Sequence, residues 1–259
     1  MIEPYFSTKL GNLYLGKWQN LREVVAEKSV DMVLTDPPYN ISKKNDNRDR
    51  SKAASPAMRR ESPLKFDFGD WDNMERAEFL ENTQQWLSFC ISTMKERATI
   101  GSFFNKEDIS FLGWEGRKLG VRTRTIISWH KSNPTPSFRP VNYLSACGFI
   151  WLGSRAAWKF NFSKQKEMHN FYSTSNASSY GKTDHPTEKP EELLSWLIRN
   201  HTDKGDLVFD PFGGSGTTAA VCEQLGRKWV LFEMNKEYCD MAAKRIGRES
   251  KQGKLELGK

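Results

Sequence analysis

Three short stretches of this 259-residue chain carry side chains suited to chemistry. The first is Asp36-Pro37-Pro38-Tyr39-Asn40, directly after the apolar run Asp31–Leu34. Its two prolines fix the backbone and offer carbonyls without N–H groups. The carboxylate of Asp36 and the carbonyl of Pro37 can therefore both accept hydrogen bonds from one amino group, with the flat face of Tyr39 beside them. An exocyclic amine on an aromatic ring is a poor nucleophile, because its lone pair is delocalised into the ring. Two acceptors gripping its hydrogens favour pyramidalisation and free that pair for in-line attack on a sulfonium methyl, with the base stacked on Tyr39. The plainer alternative is a strand-end turn with a Pro-Pro stop and a core tyrosine.

The second stretch, Asp210-Pro211-Phe212-Gly213-Gly214-Ser215-Gly216-Thr217, joins the apolar run Leu207–Phe209 to a helical pattern. Its glycines let backbone approach a ligand closely, and a helix start favours an anionic group such as a carboxylate. Glu233 ends the next strand pattern, 19 residues beyond Gly214, where a carboxylate grips ribose hydroxyls in nucleotide-binding folds. Gly214-x-Gly216-x-x-Ala219 also fits the dinucleotide fingerprint, so the loop alone leaves NAD and S-adenosylmethionine both open. The third stretch, His185-Pro186-Thr187-Glu188-Lys189-Pro190, reads as a capped helix start at which Thr187 can cap and free N–H groups can bind an anion. A lone histidine there is more often structural than catalytic.

The elements that must position these residues alternate along the chain. Apolar runs at Leu13–Leu15, Met32–Leu34, Ile100–Phe104, Thr125–Trp129, Gly148–Leu152, Leu207–Phe209 and Trp229–Phe232 read as seven strands. Residues 74–95 place Phe79, Leu80, Trp86, Leu87, Cys90, Ile91 and Met94 on one helical face. Pro190 starts a second helix through Leu193, Leu194, Leu197 and Ile198. Residues 215–225, ended by Gly226, and 236–246 are two more. Such alternation predicts an open, mostly parallel sheet covered on both faces. Residues 131–184 read as a loop-rich recognition region, being rich in Ser, Asn, Pro and aromatics.

Charge and composition narrow the class. The net charge of +7 is a weak pointer to a polyanion, but its placement is informative. Residues 41–65 hold Lys43, Lys44, Arg48, Arg50, Lys52, Arg59, Arg60 and Lys65 against three acids, and read as a long mobile loop. The last 16 residues carry a further net +4 and read as a helix end fraying into a tail. Twelve per cent aromatics argue for a packed core and for stacking surfaces. No apolar run approaches the roughly 18–20 residues of a membrane span, and Met1-Ile2-Glu3-Pro4 lacks a signal-peptide pattern, so a soluble cytoplasmic protein is expected. Cys90, Cys147, Cys222 and Cys239 are far apart, and the four histidines form no H-E-x-x-H, so no metal site or disulfide framework is expected.

Together the motifs resemble the β-class amino-methyltransferases of DNA, in which the catalytic DPPY comes early and the cofactor loop late. The resemblance covers nearly the whole chain. Asp36 to Tyr39 matches the catalytic motif, and Trp129-His130-Lys131-Ser132-Asn133-Pro134-Thr135-Pro136 is similar to the family's W-x-K-x-N-P-x-P segment. His185–Pro190 resembles H-P-T-Q-K-P with Glu188 for Gln, Asp210–Thr217 the D-P-F-x-G-S-G-T loop, and Glu233 its ribose-binding acid. One departure stands out: Leu15-Gly16-Lys17-Trp18 has a lysine where the family usually has an aspartate.

The resemblance implies a Rossmann-like α/β methyltransferase fold, a seven-stranded mostly parallel sheet with helices on both faces and circularly permuted motif order. It implies S-adenosylmethionine as cofactor, its methionine end held by Asp36, the 212–217 loop, His185 and Thr187, with Asp210 and Pro211 at the loop's start and the ribose on Glu233. It implies transfer to adenine N6 of a base flipped from duplex DNA against Tyr39, held by Asp36 and Pro37, with Pro38 in the motif. A leading Asp and a following Asn favour adenine N6 over cytosine N4. Lys43, Lys44, Arg48, Arg50, Lys52, Arg59, Arg60 and Arg139 are the expected DNA contacts, with residues 131–184 reading bases. The catalytic part is then 1–40 with 66–130, the cofactor part 185–248 and the basic tail 249–259. A second copy of the chain and a restriction endonuclease reading the same site are further expected partners, in a bacterial, archaeal or phage-infected cell. Two other classes stay open: an NAD-binding oxidoreductase, which leaves Asp36–Tyr39 and the basic loop unexplained, and a non-catalytic DNA-binding protein whose cofactor site Lys17 has spoiled.

Overall fold

All seven apolar runs form strands, and they join one sheet. The computed structural model describes residues 2–40, 74–134, 143–175 and 189–251. It divides into two units, one of residues 1–37 with 85–259 and one of residues 38–84.

The first unit holds a nine-stranded sheet in the order β1-β2-β9-β8-β3-β4-β6-β5-β7. The strands are β1 (Phe6–Ser7), β2 (Gly11–Leu15), β3 (Val30–Thr35), β4 (Met94–Phe104), β5 (Arg122–Lys131), β6 (Cys147–Ser154), β7 (Phe171–Thr174), β8 (Leu207–Asp210) and β9 (Lys228–Glu233). The expected count of seven is corrected to nine. The two additional strands are edge pieces of two and four residues, too short to leave a period in sequence. β2, β9, β8, β3 and β4 run parallel to one another, β1 is antiparallel to β2, and β6 lies antiparallel between β4 and β5. β6 and β7 thus belong to the sheet although they lie inside the stretch expected to be loop-rich. Every residue of β4 from Ala98 to Phe104 is buried. Successive strand side chains point to opposite faces, so the sheet is covered on both sides there.

Chain order reverses between β3 and β8: the chain continues from β3 to β4 on one side and from β8 to β9 on the other. Ligands of open α/β sheets bind at such a switch point, beyond the carboxyl ends of the strands. The helices are α1 (Arg76–Thr93), α2 (Ile109–Lys118), α3 (Glu191–His201), α4 (Thr217–Leu225) and α5 (Lys236–Lys251). Pro190 precedes α3 as its N-cap, and α3 buries Leu193, Leu194, Leu197 and Ile198. Gly226 ends α4 in the left-handed region, with φ 68°. α5 outlasts its sequence pattern by five residues, to Lys251. α2, which packs on β5 and β6, has no counterpart among the expected helices, because Gly113 and Gly116 lower its helix propensity. Among the described residues no helix is long and apolar enough to cross a membrane.

Of the second unit, residues 38–40 and 74–84 are described. Asn40, at φ 53°, forms a two-bond clamp with the Met74 backbone: its Nδ2 donates to the Met74 carbonyl at 2.9 Å and its Oδ1 accepts the Met74 N–H at 2.8 Å. The clamp joins the ends of the segment that holds the basic stretch. α1 begins here and runs across the division between Gln84 and Gln85.

Candidate active site

β3 and β8 lie side by side, so the residues that follow them meet although they are far apart in sequence. The Thr35 hydroxyl donates to Asp210 Oδ1 at 2.8 Å, and the Thr218 hydroxyl donates to Oδ2 at 2.8 Å. The Phe212 N–H adds a third bond to Oδ1 at 3.1 Å. Asp210 is 3% exposed, and both its oxygens serve the protein itself. It ties the end of β3, the glycine loop and the first turn of α4 into one block. Burial pushes its carboxyl up to about 6 against the pull of these three bonds, and the negative charge of Asp36 adds to the rise.

The glycine loop is drawn close to the sheet. A Cβ on Gly213 would stand 2.3 Å from Leu231 Cγ, so only glycine fits. The Gly214 N–H donates to Glu233 Oε2 at 2.8 Å, and the Asn235 N–H donates to Oε1 at 2.7 Å. Glu233 therefore holds the loop and its own strand end together. Burial raises its pKa, opposed by the same backbone N–H groups. The β2 end adjoins it: Leu15 pairs with Glu233, and the Gly16 N–H donates to the Glu233 carbonyl at 2.8 Å. Lys17 follows in extended backbone. A cation thus stands beside this strand end.

A half-open cleft lies at the switch point. Thr35 at the end of β3 and Asp36 just after it line it on one side, residues 212–215 from the loop, and Thr217 and Thr218 from α4. Phe103, Leu194 and Lys189 complete the wall. Pro211 is buried at the loop's start, and Trp86 meets the Phe212 ring edge-on at 5.9 Å. Lys189, 12% exposed in its side chain, pairs with the Asp36 carboxylate, itself 27% exposed. Its ammonium also lies 5.2 Å from the centroid of the Phe103 ring. Lys131 is within electrostatic reach: burial lowers its pKa, the charge of Lys189 lowers it further, and Asp36 opposes both.

The tertiary structure therefore gathers Asp36, Asp210 and the 212–217 loop around one cleft, with Glu233 one hydrogen bond behind Gly214. Pro38 and Tyr39 belong to the second unit. His185, Thr187, the eight basic residues from Lys43 to Lys65, and Arg139 lie outside the described residues. Lys189 and Lys131 are site residues that the sequence does not single out, although they lie within the His185–Pro190 and Trp129–Pro136 motifs. A lysine beside a proline or a histidine carries no signal of its own; only the fold shows that both approach Asp36. Among the described residues no three His, Cys, Asp or Glu side chains converge as a metal site would require.

Residues 30–244 match the family model of N6/N4 methyltransferases, described as DNA methylase. The chain belongs to this DNA methylase family. The matched span runs from the first residue of β3 into α5, so it takes in both sides of the cleft. Similar proteins include the type II methyltransferases M2.LlaDCHI of Lactococcus lactis subsp. cremoris, 27% identical over 98% of this chain and 95% of that protein, and M2.MboI of Moraxella bovis, 29% identical over 94% and 91%. M2.DpnII of Streptococcus pneumoniae is 27% identical over 96% of this chain and 94% of its own. Among solved structures, the fold is similar to that of the PvuII cytosine-N4-specific DNA methyltransferase, with TM-score 0.75, 23% identity and coverage of 94% of this chain and 89% of that one. The M1.HpyAVI–SAM complex follows at TM-score 0.69 and 24% identity, covering 92% and 99%. The DNA methylase thus presents Asp36, the more exposed of two lining carboxylates, and one glycine loop on a shared cleft.

Proposed function

We propose that this DNA methylase transfers the methyl group of S-adenosylmethionine to the N6 amino group of adenine in duplex DNA, on a base flipped out of the helix. The observation that carries the reading is the meeting of Asp36, at the end of β3, with the glycine loop, at the end of β8. An acceptor for an amine and a cradle for a cofactor share one cleft.

The residues fit that cofactor. Asp36 offers a carboxylate to a cationic sulfonium, Ser215 and Thr217 offer hydroxyls to an amino-acid carboxylate, and Glu233 keeps unused lone pairs for ribose hydroxyls. When bound, S-adenosylmethionine supplies an electrophilic methyl. The chain's own part is to hold and align. Asp36 and the Pro37 carbonyl accept the hydrogens of the target amine, which frees its lone pair, and Tyr39 stacks on the flipped base. His185 and Thr187 add to the cofactor site.

Lys43, Lys44, Arg48, Arg50, Lys52, Arg59, Arg60 and Arg139 contact DNA phosphates in this reading, and residues 131–184 read bases. The type II names of the relatives support a restriction endonuclease acting on the same site, and a pair of chains is carried over from the family resemblance alone.

The test is methyl transfer to DNA in vitro with labelled S-adenosylmethionine, followed by nucleoside analysis. The expected product is N6-methyladenine. N4-methylcytosine would replace the base assignment, and an absence of transfer from folded protein to any natural DNA would sink the enzymatic reading. Sequencing with modified-base detection on DNA from expressing cells then yields the recognition sequence.

A further inference from the structure

Arg245 is one of the basic residues that give the C-terminal stretch, which in sequence reads as a helix end fraying into a tail, its net charge. The fold turns it inward. α5 crosses the start of α4 at very short range: Gly216 stands at φ 79°, and a Cβ there would lie 2.7 Å from Ala242 Cβ. Arg245 is three residues beyond Ala242 and so shares the helix face packed on that loop. Its Nη1 donates to the Ser215 hydroxyl oxygen at 3.2 Å and to the Thr217 hydroxyl oxygen.

A guanidinium only donates, so both hydroxyl oxygens are committed as acceptors on this side. Their O–H hydrogens must point elsewhere. The two oxygens are 3.4 Å apart, so one hydroxyl can donate to the other, and that still leaves at least one O–H without a use inside the pair. Ser215 and Thr217 are 5% and 6% exposed, and both line the cleft. The remaining donor therefore faces the cleft. It is strengthened by the cation behind it, since hydrogen bonds in a chain polarise one another. Without Arg245 each hydroxyl could rotate and present either a lone pair or a proton.

We infer that Arg245 is a positioning residue that commits Ser215 and Thr217 as hydrogen-bond donors for the carboxylate of the cofactor's amino-acid end. The inference rests on the reading of this cleft as the S-adenosylmethionine site and deepens it. Arg245 itself acts through the two hydroxyls.

The experiment is titration calorimetry with S-adenosylmethionine and with its decarboxylated analogue, which differ only in the carboxylate. Wild-type protein is expected to bind the carboxylate-bearing compound more tightly. Arg245→Met is expected to lose tenfold or more in affinity for S-adenosylmethionine and less than threefold for the analogue, with Arg245→Lys between Met and wild type. Thr217→Val, which leaves Arg245 in place, is expected to show the same split, and it decides the matter if Arg245→Met does not fold. Equal losses for the two compounds, no loss for either, or a wild type that methylates DNA yet does not distinguish the compounds would each overturn the inference and leave the methyltransferase reading standing. A wild type that binds neither compound and methylates no DNA fails that reading, and the inference with it.

Discussion

The ammonium of Lys189 closes on the carboxylate of Asp36 across 153 residues of sequence. The lysine is the more buried partner, packed over the Phe103 ring, so it cannot wander and the carboxylate is held with it. If Asp36 grips the target amine, its orientation depends on Lys189. Asp36→Ala is expected to abolish turnover, with a much smaller loss of cofactor binding because the glycine loop and Glu233 remain. Lys189→Met is expected to lower kcat by about 100-fold, the scale of a roughly 1 Å misplacement of a reacting group, with a much smaller change in KM for S-adenosylmethionine. Lys189→Arg should recover part of the loss. Single-turnover kinetics on folded variants check this, and a Met variant within twofold of wild-type kcat would remove Lys189 from the account.

Asp210 makes stability depend on pH. Its folded pKa, about 6, stands above the ordinary 3.8, so ionising it costs the folded state. The cost is absent below about pH 4, grows as pH rises through 6, and is complete above that. Its size is on the order of 3 kcal/mol, from about 1.4 kcal/mol per pKa unit. Asp210→Asn keeps acceptors for Thr35 and the Phe212 N–H, and Thr218 can accept from the new amide. The variant should therefore gain stability relative to wild type as pH goes from 4 to 7.5. Urea melts across that range measure the difference; a difference independent of pH refutes the assignment.

The glycine loop tolerates no side chain at its closest point. Gly213→Ala would press a methyl into Leu231, and overpacking of this kind costs about 1–3 kcal/mol. The loop then lifts, and the Gly214 N–H loses its bond to Glu233. The expected outcome is a lower urea midpoint together with weaker S-adenosylmethionine binding. A variant as stable and as tight as wild type would show that the loop moves freely.

The basic residues after Asn40 make a separate claim about DNA. Each phosphate contact contributes about 0.9 to the slope of log affinity against log salt. Neutralising Lys43, Lys44, Arg48 and Arg50 together should reduce that slope by about 3 to 4, with little change in cofactor affinity. Filter binding or anisotropy over a salt series reads the slope, and an unchanged slope would place the DNA elsewhere.

Much of this protein can be read locally. β3, β4, β8 and β9 announce themselves as apolar runs, because a strand buried on both faces needs apolar residues at consecutive positions. Asp36-Pro37-Pro38-Tyr39 and the loop of Gly213, Gly214 and Gly216 declare their chemistry because proline and glycine restrict or release the backbone whatever surrounds them. α2 and β7 stayed hidden, one behind its glycines and the other behind its brevity. Beyond these, the sequence by itself determined which groups are available. Their partners were decided by strand adjacency. Thr35 meets Asp210 across 175 residues only because β3 and β8 are neighbours at the switch point. Lys189 reaches Asp36 and Arg245 reaches Ser215 only because α3 and α5 begin and pack where they do. Hydrogen bonds and ion pairs act over about 3 Å, and that distance between remote residues exists only once the sheet has formed.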